Sequence, residues 1–393
     1  MKYPKALLIS AAAVMLALFA ACSSKPPVIP QPTDAPEATQ EAALPTEEHD
    51  PAVTETAPTE SLETEVVFLN PLFEVFFRNM TGMFTGPISE EDILNIKKLD
   101  ISMTKITDIR DLAMFKNLEE LDIGFNDIED ISAIKGLTNL KTLIISGSDI
   151  KDYSPLSGLT GLRWLELRDS RSQINDLGVL SGMTEMEHLE IWECEVSDLT
   201  PLGGMTKLKE LYIESERIND IAPLASCTSL EELMIEGHFT DLSPMAGLTK
   251  MTSLRISCDA VDISPLSGMT ALKGLGISCR PTEIKALTNL KELETLALND
   301  CGVRDLTPIA GLKKLTSLSL NHNSIANIGP LSGLKSLWDV EMIDNPISDV
   351  TPLYGLSRLH YLSIDGTLLS EAQMNELREK LPGCEIYFRM NEG

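Results

Sequence analysis

A repeat of about 22 residues constrains the fold of this chain more than any other feature. The pattern LxxLxI, in which Leu, Ile, Met or Val fills the three anchors, begins at Ile96, Leu118, Leu140, Leu162, Met186, Leu208, Leu230, Met251, Leu272, Leu293, Leu315, Leu337 and Leu359. The interval is 22 residues, apart from one of 24 and three of 21. A short fixed period indicates a solenoid, in which each coil buries its apolar face by stacking on its neighbours.

The two halves of each repeat predict different elements. The alternation in LxI predicts a short strand with one buried face. The second half, for example DLTPLGGMTKL at 198–208, has Ser or Thr before Pro in many coils. Ser or Thr suits a helix N-cap and Pro suits the first helical position. Because the segment is too short for more than one or two turns, we expect 3₁₀-like turns on the convex side.

A short polar residue, usually an acid, precedes this turn in almost every coil. The acids are Asp108, Asp130, Asp152, Asp176, Asp198, Asp220, Asp241, Asp262, Glu283, Asp305 and Asp349, with Asn327 as the exception. A ladder of acids could bind calcium. We favour a structural interpretation, because short acids at turn starts accept hydrogen bonds from local backbone N–H groups.

The repeat resembles the internalin-like class of leucine-rich-repeat proteins over about 66–388. That resemblance implies an α/β solenoid with a parallel sheet on the concave face, 3₁₀-like turns on the convex face and a cap at each end. The expected divisions are an N-terminal cap at 65–95, about 12–13 coils at 96–367 and a C-terminal cap at 368–393. The cap interpretation includes an Asn-Pro helix start at 70–71, a capping sequence at Ser89 and a helix capped by Ser370.

The N-terminus predicts export and lipid attachment. Residues 1–21 contain early lysines and an apolar stretch, and "FAA" precedes Cys22, as in the signals of bacterial lipoproteins. An uncleaved membrane anchor and an ordinary signal peptide are the alternatives. Residues 22–64 are rich in proline and acids, which predicts a disordered linker. We therefore expect an extracytoplasmic protein, exposed at the cell surface and anchored by lipid to the bacterial membrane.

The cysteines and histidines do not form a recognisable catalytic or metal-binding motif. Cys194 and Cys301 occupy the column in which Asn126, Asn323 and Asn345 stand in other coils, and Cys258 and Cys279 occupy matching places in two shortened coils. In the internalin-like class this column hydrogen-bonds backbone between coils. Buried thiols are favoured over a disulfide, and no HExxH, GxSxG or phosphate loop occurs. We predict a protein that is not an enzyme and has no metal or cofactor.

Aromatic and acidic residues accumulate at concave positions of coils four to seven. The predicted ligand-binding residues are Trp164, Glu166, Arg168, His188, Glu190, Trp192, Tyr212, Glu214, Met234 and Glu236. Exposed Trp and Tyr are typical of binding sites. The alternative is that they stack on one another across neighbouring strands. Trp338 and Tyr361 also fall on this face or at its edge.

The charge of the chain bears on the class of partner. The net charge of −27 argues against nucleic acid. We predict a monomer that binds a protein partner with a basic surface, for adhesion or for contact within the envelope. Glycan binding, with aromatic rings stacked on sugars, and a structural spacer without a ligand are the alternatives.

Overall fold

The computed structural model describes residues 65–168, 174–192 and 194–388. The predicted signal at 1–21, the lipidated Cys22 and the linker at 22–64 lie outside the described residues. Part of the single 24-residue coil, at 169–173, also lies outside them.

Fourteen strands of the described residues form one parallel sheet, in which they follow chain order. Consecutive strands pair in register, so that Leu165 aligns with Leu189 in the next strand and Leu189 with Leu211 in the strand after it. All three leucines are fully buried. The strands are β1 Lys98–Asp100, β2 Glu120–Asp122, β3 Thr142–Ser146, β4 Trp164–Arg168, β5 His188–Trp192, β6 Glu210–Glu214, β7 Glu232–Glu236, β8 Ser253–Ser257, β9 Gly274–Ser278, β10 Thr295–Ala297, β11 Ser317–Ser319, β12 Asp339–Glu341, β13 Tyr361–Ser363 and β14 Glu385–Tyr387.

A 3₁₀ turn follows each strand from β1 to β12, which confirms the predicted solenoid. The turns are Arg110–Met114, Ser132–Gly136, Ser154–Gly158, Gly178–Leu180, Thr200–Gly204, Ala222–Ser226, Ser243–Gly247, Ser264–Gly268, Lys285–Asn289, Thr307–Ile309, Gly329–Gly333 and Thr351–Leu353. Each turn leads back into the next strand, and the apolar anchors of both halves meet in one continuous core.

The short polar residue before each turn accepts a hydrogen bond from the backbone N–H two residues later, as its position predicts. Asp198 Oδ1, for example, accepts a hydrogen bond from the N–H of Thr200 at 2.8 Å. The same bond is made by Asp108, Asp130, Asp152, Asp176, Asp220, Asp241, Asp262, Asp305, Asn327 and Asp349. Among the described residues, Glu283, whose side chain is one methylene longer, does not make this bond. These bonds favour the structural interpretation of the column.

The expected role of Ser and Thr in these turns was wrong. Thr200 is the first residue of its 3₁₀ turn and Pro201 the second, and Leu199 at the N-cap position makes no side-chain capping bond. The aspartate two residues before the turn supplies the capping oxygen instead. Asp and Ser are both good capping residues, so the local sequence does not distinguish which of the two will act.

The Asn and Cys column lies just beyond the strands and joins neighbouring coils. Asn323 Nδ2 donates to the carbonyl oxygen of Leu298 at 2.6 Å, and its Oδ1 accepts from the N–H of Val303 at 2.9 Å. Cys194 fills the same column, and its Sγ lies 3.2 Å from the carbonyl oxygen of Glu214. The cysteines at 194, 227, 258, 279, 301 and 384 are free thiols.

Short helices cover both ends of the repeat core. At the N-terminal end, α1 spans Pro71–Thr81 with Asn70 as its N-cap, and α2 spans Glu90–Leu94 with a capping box between Ser89 and Asp92. At the other end, α3 spans Glu371–Lys380, and Ser370 forms a capping box with Gln373. Within the described residues, no helix has the length and apolar character that crossing a membrane requires.

Candidate functional site

Strands β4 to β7 present the predicted binding residues on one face of the sheet. The alternate residues of each strand, such as Leu189 and Ile191 of β5, are buried in the core. The outward residues of these strands include every predicted site residue, and we call those the concave patch: Trp164, Glu166, Arg168, His188, Glu190, Trp192, Tyr212, Glu214, Met234 and Glu236. The register aligns Trp164 with His188, Glu166 with Glu190 and Arg168 with Trp192.

A row of rings crosses three strands of the concave patch. The Trp164 indole is stacked on the His188 imidazole, with ring centroids 3.6 Å apart and planes 6° apart. The His188 ring is tilted against Tyr212, at a centroid distance of 5.7 Å. Trp164 nevertheless remains 37% exposed, whereas His188 between the two larger rings is 5% exposed. The aromatic residues therefore stack on one another and still offer a ring to solvent.

An ion-pair network lies beside these rings. The Arg168 guanidinium donates from Nη2 to Glu190 Oε2 at 2.6 Å, and its Nε lies 3.2 Å from Glu166 Oε2. The other oxygen of each acid is held by an indole, because Trp164 Nε1 donates to Glu166 Oε1 at 2.8 Å and Trp192 Nε1 donates to Glu190 Oε1. Burial opposes ionisation of Glu190, but His188, Trp192 and Arg168 outweigh it and lower the pKa of this carboxyl.

His188, the one histidine of the concave patch, has a strongly raised pKa. Its Nδ1 lies 2.7 Å from Glu210 Oε2, while its Nε2 lies 3.7 Å from Glu190 Oε2. Burial favours the neutral imidazole, but the Glu190 and Glu210 carboxylates together raise the pKa of His188 to about 9. The Nε2 atom is buried and has no hydrogen-bond partner among the described residues.

The far half of the patch, on β6 and β7, is acidic. The Tyr212 hydroxyl donates to Glu232 Oε2 at 2.6 Å. Burial, followed by this contact, raises the pKa of Tyr212 well above its usual range. Glu214 aligns with Glu236, and burial raises the pKa of Glu236. Met234 aligns with Tyr212 and is half-buried.

Sequence reasoning missed Glu210 and Glu232. Both occupy the first position of their strands and align with each other, and Glu210 also aligns with His188. They contact two of the predicted site residues, His188 and Tyr212. Counting outward positions from the first residue of each strand would have found them.

A second aromatic group lies near the C-terminal end of the sheet. Trp338 directly precedes β12 and is 54% exposed. Its ring is stacked on His360 at a centroid distance of 4.6 Å. Tyr361 of β13 is half-buried and contacts the ring of Tyr387 at 5.2 Å. This group is separate in sequence from the concave patch, and its aromatic residues serve as control positions for substitutions in the patch.

Comparison with known proteins supports the fold. A model of the leucine-rich repeat family, described as two copies of the repeat, matches residues 94–136. No curated protein matches the sequence significantly. The structure of an internalin, InlF from Listeria monocytogenes, is similar at a TM-score of 0.66 and 26% identity, covering 83% of this chain and 92% of that chain.

Two further solved structures share the architecture. InlJ of Listeria monocytogenes, whose functional domain includes a cysteine ladder, has a TM-score of 0.65 and 21% identity, covering 78% of this chain and 66% of that one. The plant peptide hormone receptor RGFR1, in complex with RGF2, has a TM-score of 0.59 and 18% identity, covering 71% of this chain and 49% of the receptor. The chain therefore contains leucine-rich repeats at 94–136, and its described part has a fold similar to that of the internalin InlF.

Proposed function

We propose that the concave patch binds a protein partner that carries a basic surface. The observation that carries this proposal is the exposed Trp164, which extends a row of stacked rings and is bordered by carboxylates. Large aromatic side chains held rigidly by their neighbours provide contact area at a low entropic cost. The leucine-rich-repeat fold is also the fold of the plant receptor solved in complex with RGF2, which supports a binding role.

The charge of the patch favours a cationic partner. Arg168 is already paired with Glu166 and Glu190. The β6–β7 half contributes further carboxylates at outward positions, namely Glu210, Glu214, Glu232 and Glu236. The whole chain has a formal net charge of −27, so its field attracts positive surfaces over distances longer than a contact. Such a field increases the association rate and selects partners of opposite charge.

The proposal includes display at the cell surface. Cleavage after residue 21 and acylation of Cys22 would anchor the chain in the bacterial membrane. The proline-rich segment at 22–64 would then act as a spacer. Proline-rich chain extends by about 3.1 Å per residue, so some 40 residues reach ~120 Å from the membrane. A binding surface held at that distance suits contact with another protein of the envelope or with another cell.

The test is capture of a partner by the immobilised domain at two salt concentrations. Bait protein is incubated with bacterial envelope extract, with host-cell surface proteins and with an array of glycans. A basic protein that binds at low salt and dissociates as salt rises supports the proposal, because salt screens exposed charges. Binding to a glycan that salt does not weaken would favour the glycan alternative. Capture of nothing from any source would favour a structural spacer.

A further inference from the structure

We propose that Glu166, His188 and Glu190 form a binding site for a divalent transition-metal ion, and that Zn²⁺ fits the donor set best. One ligand atom from each of these residues lies within 4.8 Å of the others. The residues come from two adjacent strands, β4 and β5, and are brought together by the register that aligns Glu166 with Glu190.

The spacing suits one shared ion. Zn²⁺ binds imidazole nitrogen and carboxylate oxygen at about 2.0–2.1 Å in a tetrahedral arrangement, which separates two ligand atoms by about 3.3 Å. His188 Nε2 and Glu190 Oε2 are 3.7 Å apart, so a small movement of either side chain places both on the same ion. Glu166 is the third ligand, and a fourth position remains for water.

The missing hydrogen bond of His188 Nε2 points to a missing ligand. His188 is 5% exposed, and its Nε2 has no hydrogen-bond partner among the described residues. A buried polar atom without a partner is uncommon in a folded protein and costs free energy. Glu190 Oε2 forms an ion pair with the protonated ring at 3.7 Å, a distance that is too long for a hydrogen bond to Nε2. An ion between Nε2 and the two carboxylates would satisfy this atom, and a proton carried by Nε2 would leave when the ion binds.

Neighbouring side chains orient each of the three ligands, and the contact behind His188 is the one found in known metal sites. Histidine ligands usually donate their second ring N–H to a carboxylate, and His188 Nδ1 lies 2.7 Å from Glu210 Oε2. Stacking on Trp164 fixes the plane of the ring. The indole N–H groups of Trp164 and Trp192 hold Oε1 of Glu166 and of Glu190, while Oε2 of both acids is directed to Arg168.

The donor set distinguishes between classes of ion. Ca²⁺ and Mg²⁺ prefer oxygen ligands, with six or more in the case of Ca²⁺. Imidazole nitrogen together with carboxylate oxygen is a combination that Zn²⁺ accepts, and two carboxylates neutralise its charge. The site is therefore expected to favour Zn²⁺ over the alkaline-earth ions.

Arg168 competes with the ion. Its guanidinium forms ion pairs with Oε2 of Glu166 and of Glu190 when no ion is bound. The Arg168 side chain is 51% exposed and can move into solvent. Removing this charge should therefore tighten ion binding by about tenfold or more, since like charges at close range repel even near a protein surface.

The experiment is calorimetric titration of Zn²⁺ into the purified full-length protein after treatment with EDTA. One-to-one binding is expected for the native protein. Glu210→Gln should weaken it about 10–100-fold, as substitutions of groups that orient metal ligands do. Arg168→Gln should tighten it, and the control Arg255→Gln, on the same face in β8, should leave it unchanged.

Substitution of the ligands decides whether the site is the one proposed. His188→Gln should abolish the one-to-one step, whereas His238→Gln should not, although His238 Nδ1 also lies near an acid, 2.9 Å from Asp259 Oδ2. Melting curves in EDTA check that each variant is folded, and Glu166→Gln replaces His188→Gln if that variant does not fold. Absence of binding by the native protein, or full binding by the ligand variants, would overturn the proposal. Neither result depends on a protein partner, so the proposed function is tested separately.

Discussion

The indole of Trp164 and the imidazole of His188 lie face to face, 3.6 Å apart, although 24 residues separate them in the chain. They are neighbours because Trp164 aligns with His188 in adjacent parallel strands. The coil that joins them is the longest of the repeat, and its two additional residues do not disturb the register. Residues on the concave face of successive coils can thus be in contact although no short sequence motif contains both of them.

Removing the outer ring of the stack should have a modest effect on stability. Trp164→Ala is expected to lower the free energy of unfolding by about 0.5–1.5 kcal/mol, the usual contribution of a stacked aromatic pair. Urea denaturation of the native and variant proteins measures this value. A loss as large as that of a core leucine would mean that Trp164 is part of the core and is not available to a ligand.

Shortening a core anchor should be more damaging. Leu189→Ala is expected to cost about 2–5 kcal/mol, because Leu189 is fully buried and the change leaves a cavity between stacked coils. The same urea denaturation measures the loss. An almost unchanged midpoint would show that the strand register is wrong.

The asparagine column should contribute through its backbone bonds. Asn323→Ala removes the donor to Leu298 and leaves the buried N–H of Val303 without its acceptor at 2.9 Å. Each unsatisfied buried group costs about 1–3 kcal/mol, so a loss of roughly 2 kcal/mol or more is expected. Asn289→Ala, at an exposed convex position, is the control and should change stability little. Equal effects of the two substitutions would contradict this role.

The thiols should react in an order set by burial. Cys384 is half-buried and the other described cysteines are buried, whereas burial raises the pKa of Cys227, Cys301 and Cys384 alike to about 11. With a thiol reagent at neutral pH, protein lacking residues 1–64 should be modified at Cys384 first and at the remaining sites only on unfolding, because the reagent can reach only the partly exposed thiol of the folded protein. Fewer than six reactive thiols after unfolding without reductant would indicate a disulfide.

The repeat anchors predicted the architecture well because burial repeats at a fixed period. Leu189 and Ile191 could be assigned to the core from the LxI alternation alone, and the register follows from stacking one anchor on the next. The order of the strands follows as well, since each coil can pair only with its neighbours in the chain.

The contacts of the patch were harder to predict. His188 was expected among the concave residues, but its burial depends on the sizes of the Trp164 and Tyr212 rings in the two adjacent coils. The sequence prediction of no metal site, which the Zn²⁺ titration would test, considered only ligands a few residues apart. Glu166 and His188 are 22 residues apart, and only their placement on adjacent strands brings them together.

The most direct test of the proposed function compares capture of the partner by three proteins. The first is native, the second carries Trp164→Ala, Trp192→Ala and Tyr212→Ala, and the control carries Trp338→Ala and Tyr361→Ala near the other end of the same face. Melting curves establish that all three are folded. The account predicts that the native and control proteins capture the same partner and that the triple variant loses it. Equal capture by the triple variant, or loss only in the control, would contradict a binding site in strands β4 to β7.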